Sequence, residues 1–330
     1  MRKETLELIN KYSSEMRFLE RTVETIELRE TRLISSLSYF GNKKVSEVTV
    51  SDAKELRNAL YFLPANYKKI HSLSEMKIKD VCRYNRSLGE RGYRTITKLT
   101  VEGYISALRS FFEFLVDEGL IEKNPFSKIK MKRADLVRPD MKNHTLSEDE
   151  LSKIFNYIES KYNSCNGFKY WVLYLLRFTG ARVKEIIQLS SNDLIFKDGI
   201  YCLYIYPDEY KTKCSGRVIP LHPKLIEMGF LDFVMSKDGA LFNDAIHEGK
   251  AISYKTSKWS AHWRSKLGLK KGKNLISFRH TMIDQLKKNG VNIEMRAQIG
   301  GHSINNTTAD VYSKDYSISE VYKVISGIKA

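Results

Sequence analysis

The chain has 330 residues, of which 42% are hydrophobic and 28% charged, which is typical of a globular protein large enough for two domains. Its 55 Lys and Arg residues exceed its 39 Asp and Glu residues, so the formal net charge is +16. No apolar run approaches the roughly 20 residues that cross a bilayer, and the first residues lack the apolar core of a secretory signal. We therefore expect a cytoplasmic protein that binds a polyanion.

The cysteines are scattered along the chain, at Cys82, Cys165, Cys202 and Cys214. They form no CxxC pair, and no histidine stands at metal-ligand spacing from them. We interpret them as reduced structural thiols and expect no metal site.

Residues 1–135 are predicted to form a helical domain. The clearest helix is VEGYISALRSFFEFLVDEGL, in which one apolar stripe runs from Val101 to Leu115 at helical spacing. Gly119 and then Asn124-Pro125 end this helix. Such a stripe predicts a buried face, so we expect a small helical bundle.

A basic segment follows, FSKIKMKRADLVRPDMKN at positions 126–143, with little that could pack into a core. We place an interdomain linker at residues 136–143, and the positive charge around it suits a track along a phosphate backbone. A merely solvated hinge is the alternative interpretation. The residues predicted to contact phosphates here are Lys128, Lys130, Lys132 and Arg133.

The second predicted domain, residues 144–330, begins with TLSEDELSKIF, where Ser147 and Glu150 have the spacing of a capping box. Later, DLIFKDGIYCLYIYPDEYKTKCSGRVIPL alternates in polarity and holds turn signals at Asp198-Gly199 and Ser215-Gly216, which predicts a small antiparallel sheet. The remainder is helical, including a tail helix in SISEVYKVISGIKA. The predicted fold class is mainly α with a small antiparallel β-sheet (α+β).

Arg182 lies in FTGARVKEIIQL, just after a Thr-Gly turn and between two segments that are suited to burial. Removing a guanidinium from water is costly unless an anion compensates it. Glu185, three residues later, lies on the same helical face and could hold one edge of the guanidinium. The remaining donors of Arg182 are left to face another anion.

Two further stretches place cations where local structure does not call for them. KTKCSGRVIPL carries Lys211 and Lys213 on a turn ahead of Arg217, although exposed lysines usually serve only solubility. In SFRHTMIDQL, Ser277 is predicted to cap a helix with Arg279 in its first turn. Because a helix N-terminus disfavours a cation, Arg279 makes sense there if it faces a phosphate.

A fourth stretch, IGGHSINNTTADVY, holds two glycines that let the backbone turn before His302, and Tyr312 follows ten residues later. A single histidine and a single tyrosine would normally be interpreted as half-buried packing residues. Their significance depends on the other three stretches.

Taken in order, these four stretches resemble the tyrosine recombinase family, also called phage-type integrases. TGARVKE is similar to its first arginine box, KTKCSGRVIPL to its lysine hairpin, SFRHT to its second arginine box, and GGHS with the later tyrosine to its terminal histidine and nucleophile. The helical domain ahead of them, especially YISALRSFFEFLVDEGLIEKNPF, looks like the family's core-binding domain. The resemblance thus covers nearly the whole chain and implies a C-terminal catalytic domain.

The resemblance implies a site-specific DNA recombinase that cleaves and rejoins strands through a 3′-phosphotyrosyl intermediate, without metal or cofactor, during integration or excision of a phage or other mobile element. A Xer-like chromosome dimer resolvase and a catalytically impaired DNA-binding protein of the same family are the alternatives. The implied catalytic residues are Tyr312 as nucleophile, Arg182, Lys211 as general acid, Arg279 and His302, with Glu185 in support. Further DNA contacts are expected from Lys213, Arg217 and Lys271.

The implied partners are double-stranded DNA and further copies of the chain in a tetrameric synapse, and accessory DNA-bending or directionality factors can take part. No membrane partner is expected. The tail helix could dock on a neighbouring copy or pack on its own domain, and the sequence favours neither.

The chain departs from the family pattern at two places. Ile276 stands where the family usually has a histidine, three residues before the second arginine, and His280 is expected to point elsewhere on the helix. The lysine turn and the gap from His302 to Tyr312 are slightly longer than is common. The longer turn leaves Lys213 in competition with Lys211 as general acid, and we favour Lys211.

Overall fold

The computed structural model describes residues 2–132, 144–206, 216–244, 252–302 and 315–329. The chain divides into two compact units, Met1–Leu136 and Val137–Ala330. Each unit has its own hydrophobic core. The predicted linker, at residues 136–143, and Arg133 lie outside the described residues.

The first unit is built from helices. They are α1 (Lys3–Phe18), α2 (Val23–Ser38), α3 (Val50–Leu60), α4 (Ile78–Ser87) and α5 (Lys98–Asp117), with 3₁₀ turns at Val45–Glu47, Tyr67–Lys69 and Gly89–Arg91. The side chains of Thr22, Thr49 and Thr97 accept backbone N–H bonds at the starts of α2, α3 and α5. These caps explain where the three helices begin.

Helix α5 forms the centre of the first unit because its predicted apolar stripe is buried. Val101, Ile105 and Leu108 are fully enclosed. Phe111 and Phe112 pack edge to face, with ring centroids 5.7 Å apart. Helices α1, α2 and α3 pack around α5, which confirms the predicted helical bundle.

The second unit combines helices with one sheet. The helices are α6 (Glu148–Glu159), α7 (Phe168–Thr179), α8 (Val183–Ile187), α9 (Pro223–Glu227), α10 (Phe230–Met235), α11 (Ile252–Lys266), α12 (Leu275–Lys288), α13 (Ile293–Gly300) and α14 (Ile318–Ser326), with 3₁₀ turns at Ser164–Asn166 and Ser191–Asp193. Ser147 and Glu150 accept hydrogen bonds from each other's backbone N–H, so the predicted capping box starts α6.

The sheet has three antiparallel strands in the order β1 (Leu194–Lys197), β2 (Ile200–Ile205) and β3 (Arg217–Pro220). Asp198 and Gly199 join β1 to β2 with φ values of 53° and 77°. A two-residue hairpin turn of type I′ requires positive φ at both of its central residues. Ile205 pairs with Arg217 across β2 and β3. The predicted fold class, mainly α with a small antiparallel sheet, is confirmed.

Helix α7 forms the centre of the second unit, and it is buried from Trp171 to Thr179. It packs against α6, α8 and α12. Its C-cap, Gly180, has a φ of 61°, and a Cβ there would overlap the Sδ of Met282 on α12. Glycine therefore lets α7 end directly against α12, and this close approach brings the Arg182 region to the helix that carries Arg279.

The tail helix α14 packs on its own unit. Val321, Ile325 and Ile328 are buried in the second core. The backbone beyond α14 is held by side chains, because the Ile328 carbonyl lies 2.9 Å from His222 Nε2 and the Lys329 carbonyl accepts from Arg177 Nη2 at 2.9 Å. Of the two arrangements left open by the sequence, the structure shows packing within one chain. None of the described helices is both long and apolar enough to cross a membrane.

Candidate active site

Arg182 precedes helix α8 and is bound on two sides. Its Nη1 donates to Glu185 Oε1 at 2.7 Å, and its Nη2 donates to the Gly301 carbonyl at 3.1 Å. The other oxygen of Glu185 accepts from the Arg182 backbone N–H at 2.7 Å. The Arg182 side chain stays 28% exposed, so the predicted pairing with Glu185 is present and one edge of the guanidinium faces outward.

Arg217, predicted to contact DNA, lies elsewhere than expected. Its side chain is only 4% exposed and donates through Nη2 to Glu185 Oε2 at 2.9 Å. Its Nε donates to the Ile299 carbonyl at 2.8 Å. A guanidinium held in this way inside the unit does not face a DNA backbone, and the structure makes Arg217 an internal partner of Glu185.

Arg279 lies on α12, and this helix begins three residues earlier than predicted. Asn274 is the N-cap, its side chain accepting from Ile276 N, whereas Ser277 is the third helical residue and accepts from the Asn274 backbone N–H. Arg279 is therefore the fifth residue of the helix, past the first turn. Its guanidinium donates to the carbonyls of Gly180 and Gly300.

His302 follows the C-cap of α13, where the chain turns at Gly301 with a φ of 62°. Gly300 is still helical, so one glycine makes the turn and not the two expected from the sequence. Arg279 Nη2 lies 2.6 Å from His302 Nε2. Because a guanidinium can only donate, Nε2 accepts and the imidazole proton is on Nδ1.

Three arginines from distant parts of the chain thus bind three successive carbonyls at the end of α13. Arg217 binds the carbonyl of Ile299, Arg279 that of Gly300, and Arg182 that of Gly301. The last four carbonyls of a helix lack partners within the helix, so these guanidiniums serve as its cap. The carbonyls bring the arginines together beside His302, which is the next residue.

The charges in this cluster are unbalanced. Burial raises the pKa of the Glu185 carboxyl, but hydrogen bonds from Arg217 and Arg182 and the charge of Arg217 outweigh it, so that pKa falls below its usual value. Burial and the neighbouring charges of Arg182 and Arg217 lower the pKa of Arg279 to about 10. Partial desolvation and the charge of Arg279 lower the pKa of His302 to about 4. Near neutral pH, one carboxylate therefore faces three guanidiniums and a neutral imidazole.

A cavity of about 630 Å³ lies in front of the cluster. Arg182 and Arg279 line it together with Arg264, His280 and Ile276. Ile276 is 55% exposed and stands where the family usually has a histidine. Its alkyl side chain offers no proton donor at that position. His280 also reaches the cavity wall, which the helical spacing from Arg279 did not suggest.

The remaining predicted residues fall into two groups. The exposed ones are Lys271 in the second unit and Lys128, Lys130 and Lys132 in the first. Those that lie outside the described residues are Tyr312, Lys211, Lys213 and Arg133. The roles predicted for both groups stay predictions.

The sequence did not reveal how Lys273 is used. The Lys273 side chain is 6% exposed and donates to the Thr145 carbonyl and to Glu150, the latter at 3.0 Å. It thereby anchors the start of α6 to the loop before α12. Its partners are more than 120 residues away, and no local signal in the sequence could have identified them.

Cys82, Cys165 and Cys202 are free thiols, and Cys214 lies outside the described residues. Within the part of the chain that the structure describes, no group of three or more His, Cys, Asp or Glu side chains could hold a metal ion.

Comparisons with known proteins identify the family of this chain. The model of the phage integrase family matches residues 144–317, more than half of the chain. A tyrosine recombinase of Thermosipho africanus is 26% identical over 245 residues, which cover 73% of this chain and 81% of the relative.

Two solved structures share the fold. The integrase of transposon Tn1549, in complex with transposon right-end DNA, superposes with a TM-score of 0.59 at 18% identity, covering 96% of this chain and 97% of the integrase. A lambda integrase tetramer bound to a Holliday junction gives a TM-score of 0.58 at 15% identity, covering 94% and 80% of the two chains. The chain therefore belongs to the phage integrase family, as a tyrosine recombinase.

Proposed function

We propose that this chain is a site-specific DNA recombinase, an integrase that cuts and rejoins DNA through a 3′-phosphotyrosyl intermediate during integration or excision of a phage or other mobile element. The observation that carries the proposal is the set of guanidiniums on the carbonyls of residues 299–301, beside His302. Family membership gives the class of reaction, and this cluster supplies the chemistry.

The cluster suits a phosphodiester because it has an excess of positive charge beside a cavity. Arg182 and Arg279 line that cavity, and a planar guanidinium can grip two phosphoryl oxygens at once, which a lysine cannot do. His302 has a pKa of about 4, so its imidazole is uncharged at neutral pH. Its Nε2 accepts from Arg279, which leaves the Nδ1–H as a hydrogen-bond donor. These groups would stabilise the charge that develops on the phosphoryl oxygens in the transition state.

In the proposed reaction, Tyr312 attacks phosphorus and a phosphotyrosyl bond forms as the bond to the 5′ oxygen breaks. The phenol, with an ordinary pKa of about 10, loses its proton to solvent, and its emerging charge is stabilised by the arginines. Lys211 gives a proton to the leaving 5′ oxygen. A 5′-hydroxyl of another strand then reverses these steps, so rejoining needs no ATP.

No metal or cofactor enters this scheme. Two-metal nucleases use their ions to neutralise charge at the phosphate. Arg182 and Arg279 are proposed to provide that positive charge here.

Strand exchange joins two DNA duplexes, so we propose that the chain acts as a homo-oligomer on double-stranded DNA. The lambda integrase of similar fold is a tetramer on a Holliday junction, and a tetrameric synapse is the assembly proposed here. Accessory DNA-bending or directionality factors can take part. A location in the cytoplasm goes with this proposal, since that is where the DNA substrate would be met.

The decisive test is a covalent trap on DNA. Nicked suicide duplexes drawn from a library of candidate attachment sequences should yield a protein–DNA adduct with the native chain and none with Tyr312→Phe. Peptide mapping should place the linkage on Tyr312. Adduct formation on another residue would contradict the assigned nucleophile.

The second candidate is a DNA-binding protein of this family with lost catalysis. The exposed Ile276 at the cavity favours it, because an alkyl side chain there can neither donate nor accept a proton. A chain that binds its site tightly but never forms an adduct on the suicide duplex would support this candidate over the recombinase.

DNA binding itself is proposed to use exposed lysines in both units. Lys128, Lys130 and Lys132 extend from the first unit and Lys271 from the second. Each phosphate contact lowers the slope of log affinity against log salt by about 0.9 on duplex DNA. Replacing the three lysines of the first unit with glutamine should therefore make the slope shallower by about 3, and an unchanged slope would remove them from the interface.

A further inference from the structure

We propose that Arg217 is a positioning residue for strand cleavage: it fixes the carboxylate that holds Arg182 and the backbone turn that carries His302. This inference rests on the proposed recombinase function. It assigns to Arg217 a role that differs from contact with DNA.

The first part of the argument is the bridge through Glu185. One oxygen of this carboxylate binds Arg217 Nη2 at 2.9 Å, and the other binds Arg182 Nη1 at 2.7 Å. Arg217 and Glu185 are each 4% exposed at the side chain, whereas Arg182 is 28% exposed. The buried pair is therefore the fixed end of the bridge, and it sets where the outer guanidinium can lie.

The second part is the turn before His302. Arg217 Nε binds the Ile299 carbonyl at 2.8 Å, and a Cβ added to Gly301 would lie 2.6 Å from Arg217 Nη1. The guanidinium thus lies against the face of the turn and holds its first carbonyl. Loss of Arg217 would free both Glu185 and the segment that presents the imidazole.

Arg217 differs in position from the two arginines proposed to touch phosphate. Arg182 and Arg279 line the cavity in front of the cluster, and Arg217 is not among the described residues that do so. It lies behind them, bonded to a carboxylate and a carbonyl. Its action is therefore exerted through Glu185 and the Gly301 turn.

Lysine cannot reproduce this arrangement. Arg217 uses two different nitrogens, Nε and Nη2, for two acceptors on separate parts of the chain. A lysine offers one nitrogen at the end of a flexible stem and lacks the planar fork. Arg217→Lys should therefore keep the charge but restore only part of the geometry.

The test compares Arg217→Met and Arg217→Lys with the wild type. Single-turnover adduct formation on a suicide duplex should fall about 100-fold in Arg217→Met, which is the penalty typical of a reacting group displaced by about 1 Å. DNA affinity should change by less than about twofold, because Arg217 is not proposed to touch DNA. The protein–DNA contacts that form on binding and persist in the transition state are therefore unchanged. Arg217→Lys should recover part of the cleavage rate.

Arg177→Met is the matched control. Arg177 is also a buried arginine of the second unit, 1% exposed, but its bonds go to Gln285 and to the Lys329 carbonyl. Its folded fraction should cleave at the wild-type rate. An equal loss of cleavage in both methionine variants would show a general effect of losing a buried arginine and would overturn the proposal.

A readout that needs no activity separates this inference from the proposed function. Titration of His302, followed by NMR with labelled histidine, should give a raised pKa and a shifted resonance in Arg217→Met, because a nearby positive charge and the hold on the turn are both gone. The inference is wrong if His302 titrates as in the wild type, whether or not the protein cleaves DNA. Should Arg217→Met fail to fold, the same titration is made on Arg217→Lys and Glu185→Gln. If the His302 resonance is unshifted in both variants, the inference is wrong.

Discussion

The second unit holds arginine side chains in two different environments, one at Arg177 and the other at the cluster of Arg182, Arg217 and Arg279. Arg177 lies within α7, bonded to the amide of Gln285 and the carbonyl of Lys329, and among the described residues its Nη1 has no hydrogen-bond partner. In the cluster of Arg182, Arg217 and Arg279, the Glu185 carboxylate binds the first two, and the three guanidiniums together bind four carbonyls, those of residues 180 and 299–301.

The difference lies in how much charge each environment leaves uncompensated. Arg177 is a single cation, 1% exposed, whose hydrogen bonds go to the neutral side chain of Gln285 and to the Lys329 carbonyl. The cluster has three guanidiniums and, among the described residues that bind them, the single carboxylate of Glu185, so it keeps a net positive charge. Arg182 and Arg279 place part of this charge at the wall of a cavity. Burial of an arginine alone is therefore a structural feature, whereas gathered and accessible positive charge points to an anionic substrate.

The largest expected effect comes from Arg279→Lys. This substitution keeps the charge but loses the planar fork that binds Gly180, Gly300 and His302. Adduct formation on a suicide duplex should fall by at least about 100-fold, as for loss of one preorganised donor. Affinity for the uncleaved duplex, measured in parallel, serves as the control. A rate close to that of the wild type would mean that Arg279, like Arg177, serves no role in cleavage that depends on its guanidinium.

Gly301→Ala should have the next largest effect. The backbone there has a φ of 62°, and the added Cβ would press on Arg217, so we expect a loss of about 1–3 kcal/mol in the free energy of unfolding. Gly290→Ala is the matched control, since its φ is 77° and nothing lies within 4 Å of the added Cβ. Denaturant titration of both variants isolates the contact with Arg217, and equal losses would mean that this contact contributes nothing.

Acidification should destabilise the cluster through His302. The pKa of His302 in the folded chain is about 4, below an unfolded value of about 6.5. The unfolded chain therefore binds the proton more readily. The stabilisation is complete above the unfolded pKa and is lost as the pH falls from there towards about 4. Below about pH 4.5, the stabilisation that comes from the lowered pKa of Glu185 is also lost as this carboxylate takes up a proton.

Melting temperatures recorded across this pH range test the assignment to His302. His302→Gln should flatten the decline between neutral pH and the carboxylate range only in part, because the pKa values of His222 and His280 are also lowered. An unaltered decline would mean that His302 titrates normally in the folded chain.

The smallest effect is expected for Arg177→Met. Losing two hydrogen bonds from a charged group destabilises the folded state, while removing an unpaired buried charge offsets this, so the free energy of unfolding should change by no more than about 1 kcal/mol. Hydrogen exchange at the amides of residues 318–329 should accelerate, because Arg177 holds the Lys329 carbonyl. Unchanged exchange there would show that α14 is held by its apolar contacts alone.

Features set by neighbouring residues were predictable from the sequence. The stripe of α5 and the turn at Asp198-Gly199 follow from local periodicity and backbone preference. The pairing of Arg182 with Glu185 was predicted from helical spacing and is present at 2.7 Å. The geometry differs from that reason, because Arg182 is the extended N-cap of α8 and Glu185 is the third residue of the helix. The resemblance to a family supplied the grouping of the distant stretches.

Features set by distant partners were not predictable. Arg217 looked like a surface cation because its partners, Glu185 and the Ile299 carbonyl, are 32 and 82 residues away. The start of α12 was misplaced because Asn and Ser are both good N-cap residues, and the structure uses Asn274 as the cap and buries Leu275, the first residue of the helix.

The end of α13 has an electrostatic consequence for the chain without DNA. Three like-charged side chains in one place should repel one another and open the second unit. The C-terminus of a helix carries about half a negative charge, and here its carbonyls of residues 299–301 are each bound by one of those side chains. The partial negative charge of the helix end therefore offsets part of the repulsion among the three arginines, and the folded chain needs no bound DNA to supply that counter-charge.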